Sequence, residues 1–205
     1  MSQASPIPKL VLASASPRRA ALLQQIGVAF ECRPQAIDES PREAEAAVEY
    51  ALRMAVEKAQ SALGDAAPTT AVLASDTVVV VGDEILGKPG NRQQALSTLA
   101  KLSDKRHRVL TAVVVASKNR LAHRLSASEV EFRAITAIEA EQYWRSGEPQ
   151  DKAGAYAIQG LAAVFVRSLQ GSFSGVMGLP LYETAELLRE FAVPCWQGLD
   201  ESADE

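Results

Sequence analysis

The sequence predicts an α/β fold: one domain with a mixed sheet flanked by helices, arranged as two lobes around a central cleft. Three observations carry this prediction. Short β-branched runs alternate with amphipathic stretches of helical period, Gly, Pro, Asn and Asp mark the boundaries between them, and no internal repeat or low-complexity linker divides the chain.

Taken in order, Lys9 to Ala13 reads as a short buried strand, and Ser14-Ala15-Ser16 leads to Pro17, whose fixed φ suits the first position of a helix. Ser16 is placed to cap that helix, Leu22, Leu23 and Ile26 form its apolar face, and Gly27 stops it. Val28 to Arg33 is expected to be a second strand. The polar segment Asp38-Glu39-Ser40-Pro41 precedes a long helix in which Val48, Leu52, Ala55, Val56, Ala59 and Leu63 recur at helical spacing before Gly64. Ala71 to Val81 is β-branched and apolar, with Gly82-Asp83 as a hairpin turn into Glu84-Ile85-Leu86. Gly87-Lys88-Pro89-Gly90 breaks the pattern, and Ala95, Leu96, Leu99 and Leu102 mark the next helix. Val109 to Ala116 and Leu121 to Ile135 form an antiparallel ribbon around Ser117-Lys118-Asn119, and Thr136 with Glu139 makes a capping box for a helix ending near Gly147. A glycine-containing loop, a strand from Leu161 to Arg167 and a Gly/Ser-rich loop follow. Pro180 then opens a last helix striped by Leu181, Ala185, Leu188 and Phe191.

Composition excludes several classes of function. The 205 residues hold 21 basic and 25 acidic side chains, a net charge of −4. Four of the acids (Asp200, Glu201, Asp204, Glu205) fall in the last six residues, so residues 1–199 form a neutral body and 200–205 an acidic tail expected to be disordered. A nucleic-acid binder would need a basic stripe with interleaved aromatics, and aromatics are only 5% of the chain. The apolar run Leu10 to Ala13 is too short for a signal-peptide core, and Ser75-Asp76 and Gly82-Asp83 interrupt the most hydrophobic region, so no membrane span is expected and the protein is assigned to the cytoplasm. Cys32 and Cys195 have no metal or disulfide spacing and read as reduced thiols in or near a core, while Trp144 and Trp196 read as packing residues.

Several positions can carry chemistry. Ser14-Ala15-Ser16-Pro17-Arg18-Arg19 sets hydroxyls, free N–H groups and two guanidinium groups at a helix N-terminus, which suits an anion as well as plain capping. Asp76 interrupts an apolar strand, where a charge is costly unless paired or bound to metal; it reads as a rigidly placed base or ligand, or as a turn residue between two strands. Lys88 and Lys152 lie in glycine-containing loops that allow a ligand close approach. Lys58, taken alone, reads as a surface residue, with Arg53 and Glu57 spaced for a helical pair. Asp38 and Glu39 suit either a helix start or a metal, and His107 and His123 stand isolated in strands.

Together these segments resemble the Maf family of nucleotide pyrophosphatases from Leu10 to about Phe191. The resemblance is carried by Leu12 to Arg19, Glu57-Lys58-Ala59, Ser75-Asp76-Thr77, Gly87-Lys88-Pro89, Asp151 to Tyr156 with Ile158-Gln159-Gly160, and Gly171-Ser172-Phe173 with Gly178-Leu179-Pro180. It implies an elongated α/β fold related to the inosine-triphosphate pyrophosphatases, a deep cleft and a homodimer. Arg18, Thr77 and Gln159 together resemble the subfamily acting on dTTP and UTP; a glutamine amide can donate to O4 and accept from N3–H of a pyrimidine. Phe173 departs from the family, where many members have Tyr, so no role for that phenol transfers.

The resemblance implies cleavage of a nucleoside triphosphate between the α and β phosphates. Ser16, Arg18, Lys58, Lys88 and Lys152 would hold phosphate, Asp76 would accept the proton of water, and Glu39 with Asp76 would hold a divalent cation, Mg²⁺ or Mn²⁺. The rival reading is a nucleotide-binding regulator of septum formation without turnover. Because the acidic tail lacks apolar periodicity, deleting residues 200–205 should leave the rate of pyrophosphate release within twofold of the full chain, as a direct comparison of the two proteins measures; a larger fall would contradict its dispensability.

Overall fold

The computed structural model describes residues 9–197 apart from 65 and 68, so the acidic tail lies outside the described residues. Among the described residues seven strands form one mixed sheet: β1 (Leu10–Leu12), β2 (Glu31–Cys32), β3 (Ala71–Val81), β4 (Glu84–Leu86), β5 (Arg106–Ser117), β6 (Arg120–Phe132) and β7 (Val166–Gln170). Their order is β2-β1-β3-β5-β6-β7, with β4 also paired to β3; β1 runs parallel to β2 and β3, and the remaining pairs are antiparallel. The helices are α1 (Pro17–Gln25), α2 (Ala47–Leu63), α3 (Arg92–Leu102), α4 (Ala137–Arg145), α5 (Phe173–Met177) and α6 (Leu181–Glu190), with 3₁₀ turns at Glu148–Asp151, Ala153–Ala155 and Leu161–Phe165. No described helix is long and apolar enough to cross a membrane.

The two faces of β3 explain the layering. Its even residues Val72, Ala74, Val78 and Val80 pack under α2 through Ala51, Ala55, Ala59 and Ala62, small side chains that let the helix lie close to the sheet. On the opposite face, Leu73 and Val113 join a core with Leu12, Leu23 and Leu187, whereas Val79 and Val109 join another with Leu99, Phe132, Tyr143 and Phe165. Ser75, Thr77 and Thr111 stand between these two cores and divide that face into two apolar regions with a polar band across the middle.

The structure corrects several boundaries. The second strand shrinks from Val28–Arg33 to Glu31–Cys32, because β1 offers it only Val11 and Leu12 as partners. The apolar segment after Gly160 is a 3₁₀ turn before it becomes β7: Ala162 and Phe165 are buried while Leu161 and Val164 are exposed, a period of three rather than two. The ribbon ends at Phe132, where β6 shifts register against β7. Ser16 occupies the N-cap position of α1 but makes no capping bond with its side chain; Ser14 Oγ instead accepts the Ser16 N–H at 3.1 Å. Ser172 caps the short helix α5, which has no apolar stripe to announce it. Cys32 and Trp196 are exposed rather than packed, and Val48 is exposed at the outer edge of α2.

His107 is buried between Phe132 and Tyr156, its Nε2 2.9 Å from the Tyr156 hydroxyl and its Nδ1 unpartnered. Burial pushes its pKa down to about 4. Since the folded pKa lies below the unfolded one, the unfolded chain binds more protons at intermediate pH. About 3 kcal/mol of stability present at neutral pH is therefore lost as pH falls from about 6.5 toward 4. Urea unfolding of the wild type should show this fall, and His107→Gln, which cannot titrate, should flatten it; equal slopes would contradict the assignment.

Candidate active site

A gap in strand pairing makes the cleft. On one edge β3 pairs with β5 from Val72 to Val80, but on the other it pairs with β1 only at Ala71–Leu73 and with β4 only at Val79–Val81. Between those partners Ala74 to Val78 borders no strand, and Asp76 sits in the middle of this open edge. Asp76 points to the α2 face, where its Oδ1 accepts a hydrogen bond from Lys58 Nζ at 2.7 Å. Lys58 belongs to the buried stripe of α2 and is 8% exposed, so the sequence expectation of a surface lysine is overturned. The alternative of Asp76 as a turn residue also falls, since β3 runs unbroken through it.

The same ammonium lies 2.7 Å from Glu39 Oε1, and Lys88 Nζ lies 3.5 Å from Glu39 Oε2, giving an alternating chain Asp76–Lys58–Glu39–Lys88. Burial alone would raise the Glu39 carboxyl, but Lys58 and Lys88 outweigh it and hold it below the usual carboxylate range. Glu39 lies in a loop fastened to the outer stripe of α2. Tyr50 donates to the Glu39 carbonyl at 2.8 Å, and Arg53 donates to the Ser40 carbonyl at 3.1 Å and to both Glu45 carboxylate oxygens at 2.5 and 2.6 Å. Tyr50 is pushed up to about 12 by burial and by the charges of Asp76 and Glu39. Asp38 serves neither as helix cap nor in the cleft lining; its carboxylate accepts the Ser40 N–H within the same loop.

Across the gap, α1 begins beside the polar band of the sheet. Arg19 donates to the Gly178 carbonyl at 2.8 Å, to Ser14 Oγ at 3.2 Å and to Thr77 Oγ at 3.4 Å. Burial depresses its pKa, while the charge of Asp76 acts in the opposite sense. Thr111 Oγ lies 2.8 Å from the Gly175 carbonyl and 3.0 Å from Thr77 Oγ, so once its single proton goes to the carbonyl, Thr77 supplies the proton between the two hydroxyls. Arg18, half-buried on the cleft border, lies 3.7 Å from Asp151, whose carboxylate also accepts from Lys152 Nζ at 2.5 Å. The Gly154 N–H donates to the Gly87 carbonyl at 3.2 Å, tying the Lys152 loop to the Lys88 loop. Gly154 has φ +69°, and a Cβ there would lie 2.9 Å from Val79 side-chain atoms, so only glycine lets the loop approach β3 this closely.

All nine side chains named from the sequence (Ser16, Arg18, Glu39, Lys58, Asp76, Thr77, Lys88, Lys152 and Gln159) border one cleft of about 320 Å³. The charged residues around it are five basic and three acidic, a net of +2 in a chain whose total charge is −4. Val79, Val109, Ile158, Val176 and Met177, members of one apolar cluster, supply the apolar part of the cleft lining. Of the eight charged residues, Arg19 and Asp151 are the two that sequence reasoning left without an individual role, although the segment Ser14 to Arg19 as a whole suits an anion. Consecutive side chains on a helix diverge by about 100°, so Arg18 and Arg19 take different partners within the one cleft, Asp151 for Arg18 and Gly178, Ser14 and Thr77 for Arg19. Among the described residues no group of three or more His, Cys, Asp or Glu is placed to hold a metal ion.

A mixed sheet split by a cationic cleft, with a buried carboxylate at its floor, defines an α/β protein suited to compact polyanions. The chain belongs to the Maf-like protein family, which matches residues 9–191. It is 52% identical over 189 residues to the dTTP/UTP pyrophosphatase of Alcanivorax borkumensis, covering 92% of this chain and 98% of that protein. It is 49% identical over 183 residues to the dTTP/UTP pyrophosphatase of Vibrio vulnificus (89% and 98% covered) and 49% identical over 191 residues to that of Alkalilimnicola ehrlichii (91% and 94% covered).

Removing Lys58 strips the buried Asp76 of its cation and leaves Glu39 only the more distant Lys88. Lys58→Met should lower stability by about 3 kcal/mol in denaturant unfolding, and adding Asp76→Asn should recover part of that loss. A Lys58→Met protein as stable as wild type would contradict the pairing.

Proposed function

We propose that the protein hydrolyses dTTP and UTP, and modified pyrimidine triphosphates of the same shape, to the nucleoside monophosphate and pyrophosphate, clearing such nucleotides from the pool. The observation that carries this reading is the convergence of Asp76, Lys58, Glu39 and Lys88 with Arg18, Lys152 and Gln159 in one cleft at the open edge of β3. The names of relatives about half identical over almost the whole chain support it.

Phosphoryl chemistry of this kind depends chiefly on placement and charge. Arg18, Lys88 and Lys152 bind the phosphate chain, and Ser16 and the start of α1 add donors. Asp76 orients water and takes its proton as the water oxygen bonds to phosphorus and the α–β bridging bond breaks. Lys58 holds and aims the Asp76 carboxylate through their 2.7 Å contact, and its ammonium offsets charge on the leaving pyrophosphate. Gln159 faces the base with a donor and an acceptor, while the apolar part of the lining takes the ring.

Glu39 and Asp76 would hold a divalent cation, Mg²⁺ or Mn²⁺. The residues fit such an ion: both carboxylates already converge on one positive charge, and a site with two carboxylates leaves other positions for phosphate and water. When bound, the ion would neutralise phosphate charge and bring the +2 of the cleft close to the roughly −4 of a triphosphate.

Turnover of a panel of normal and modified triphosphates, with Mg²⁺ or Mn²⁺, tests the reading. UTP and dTTP should give monophosphate and pyrophosphate; release of orthophosphate would contradict it. Asp76→Asn should keep the fold and lose at least about a hundredfold in kcat, and near-normal pyrophosphate release would remove Asp76 from the role of base. Replacing Arg18 or Gln159 should reorder the nucleotides more than it changes the melting temperature.

A further inference from the structure

Gln159 sits exposed in a tight turn closed by the Gly160 N–H donating to the Ala157 carbonyl at 3.0 Å. The turn is gripped from behind by residues that do not border the cleft. The Ala157 N–H donates to the Tyr143 hydroxyl at 3.1 Å, and that hydroxyl donates to Glu148 Oε1 at 2.7 Å. Glu148 Oε2 accepts the Leu161 N–H at 3.0 Å, and Oε1 also accepts the Ala162 N–H at 3.4 Å. Three backbone amides, one before Gln159 and two after it, thus end on a single tyrosine–glutamate pair.

Steric fit supports the same clamp independently. A Cβ at Gly160 would lie 2.2 Å from Glu148 Oε2, so the carboxylate fills the space that any side chain there would need. Tyr143 is 5% exposed and meets Phe165 edge to face at 5.5 Å, which fixes its hydroxyl. The backbone carbonyl of Glu148 also accepts from Lys152 Nζ at 2.7 Å, so one residue anchors both the Gln159 turn and a cation of the cleft.

We propose that Glu148 and Tyr143 are positioning residues that hold the Gln159 turn and thereby set which nucleobase the cleft selects, without touching the substrate. This rests on the pyrimidine-triphosphate reading above. A turn released from its anchors leaves Asp76, Lys58 and Glu39 in place, because they are held by β3, α2 and the loop before α2, and Lys152 keeps its bond because its acceptor is the main-chain carbonyl of Glu148, which side-chain substitution retains. Base selection should therefore fail before hydrolysis does.

The test combines kinetics with local hydrogen exchange on the full chain, using Tyr143→Phe, Glu148→Gln and Glu148→Ala. In each variant the preference for UTP over GTP in kcat/KM should fall roughly tenfold, through a higher KM for UTP with kcat within about threefold. Exchange at residues 157–162 should rise while that of α2 stays unchanged. The proposal is overturned by an unchanged preference, by an equal loss of kcat on all nucleotides, or by unchanged exchange at 157–162. If Glu148→Ala does not fold, the two conservative variants decide. A wild type that turns over no nucleotide would instead sink the functional reading, and the exchange measurement would still decide whether the clamp exists.

Discussion

The ammonium of Lys58, held between Asp76 and Glu39, is the interaction on which the rest of the site depends. Asp76 stands in the middle of an eleven-residue strand that is otherwise almost wholly apolar, where an unpaired charge would cost several kcal/mol. The fold tolerates it because Lys58 arrives from the alanine-rich face of α2, close enough for direct contact. The same contact draws Glu39, on a loop with no regular structure of its own, over the open edge of β3. One cation therefore serves packing, loop placement and the electrostatics of the cleft.

The cleft follows from topology as much as from charge. Two short partners, β1 and β4, share one edge of β3 and leave a stretch between them unpaired, while β5 secures the other edge along nearly its whole length. The opening is thus built on rigid sheet rather than on loops, which suits chemistry that depends on placement. On the far face, Ser75, Thr77 and Thr111 interrupt what would be one continuous core, and their hydroxyls bind the carbonyls of Gly175 and Gly178 and the guanidinium of Arg19. The polar band and the open edge meet at the same residues of β3, so both faces of the strand contribute to one site.

Much of this was legible in the sequence, for reasons that differ by residue. The long strands and the capped helix α4 announce themselves through apolar runs and the Thr136–Glu139 capping box. The site residues stand out because they sit where local rules are broken: a carboxylate in a strand, lysines beside glycines, two arginines at a helix start. Lys58 misleads when read alone because a helical repeat does not distinguish a buried cation from a solvated one until its partner is known. The 3₁₀ turn at Leu161–Phe165 passes for a strand because both are rich in Val, Leu and Phe, and only burial at every third residue separates them. Arg19, Tyr143 and Glu148 act through partners distant in sequence, so no local pattern marks them.

A crystal structure with a non-hydrolysable α,β-imido-dUTP tests the central claim most directly. The imido bridge should lie beside Asp76 at the open edge of β3, with phosphate oxygens in ion-pair reach of Lys88 and Arg18 and the uracil edge facing Gln159. A nucleotide bound outside this gap, or one whose α–β bridge points away from Asp76, would contradict the account.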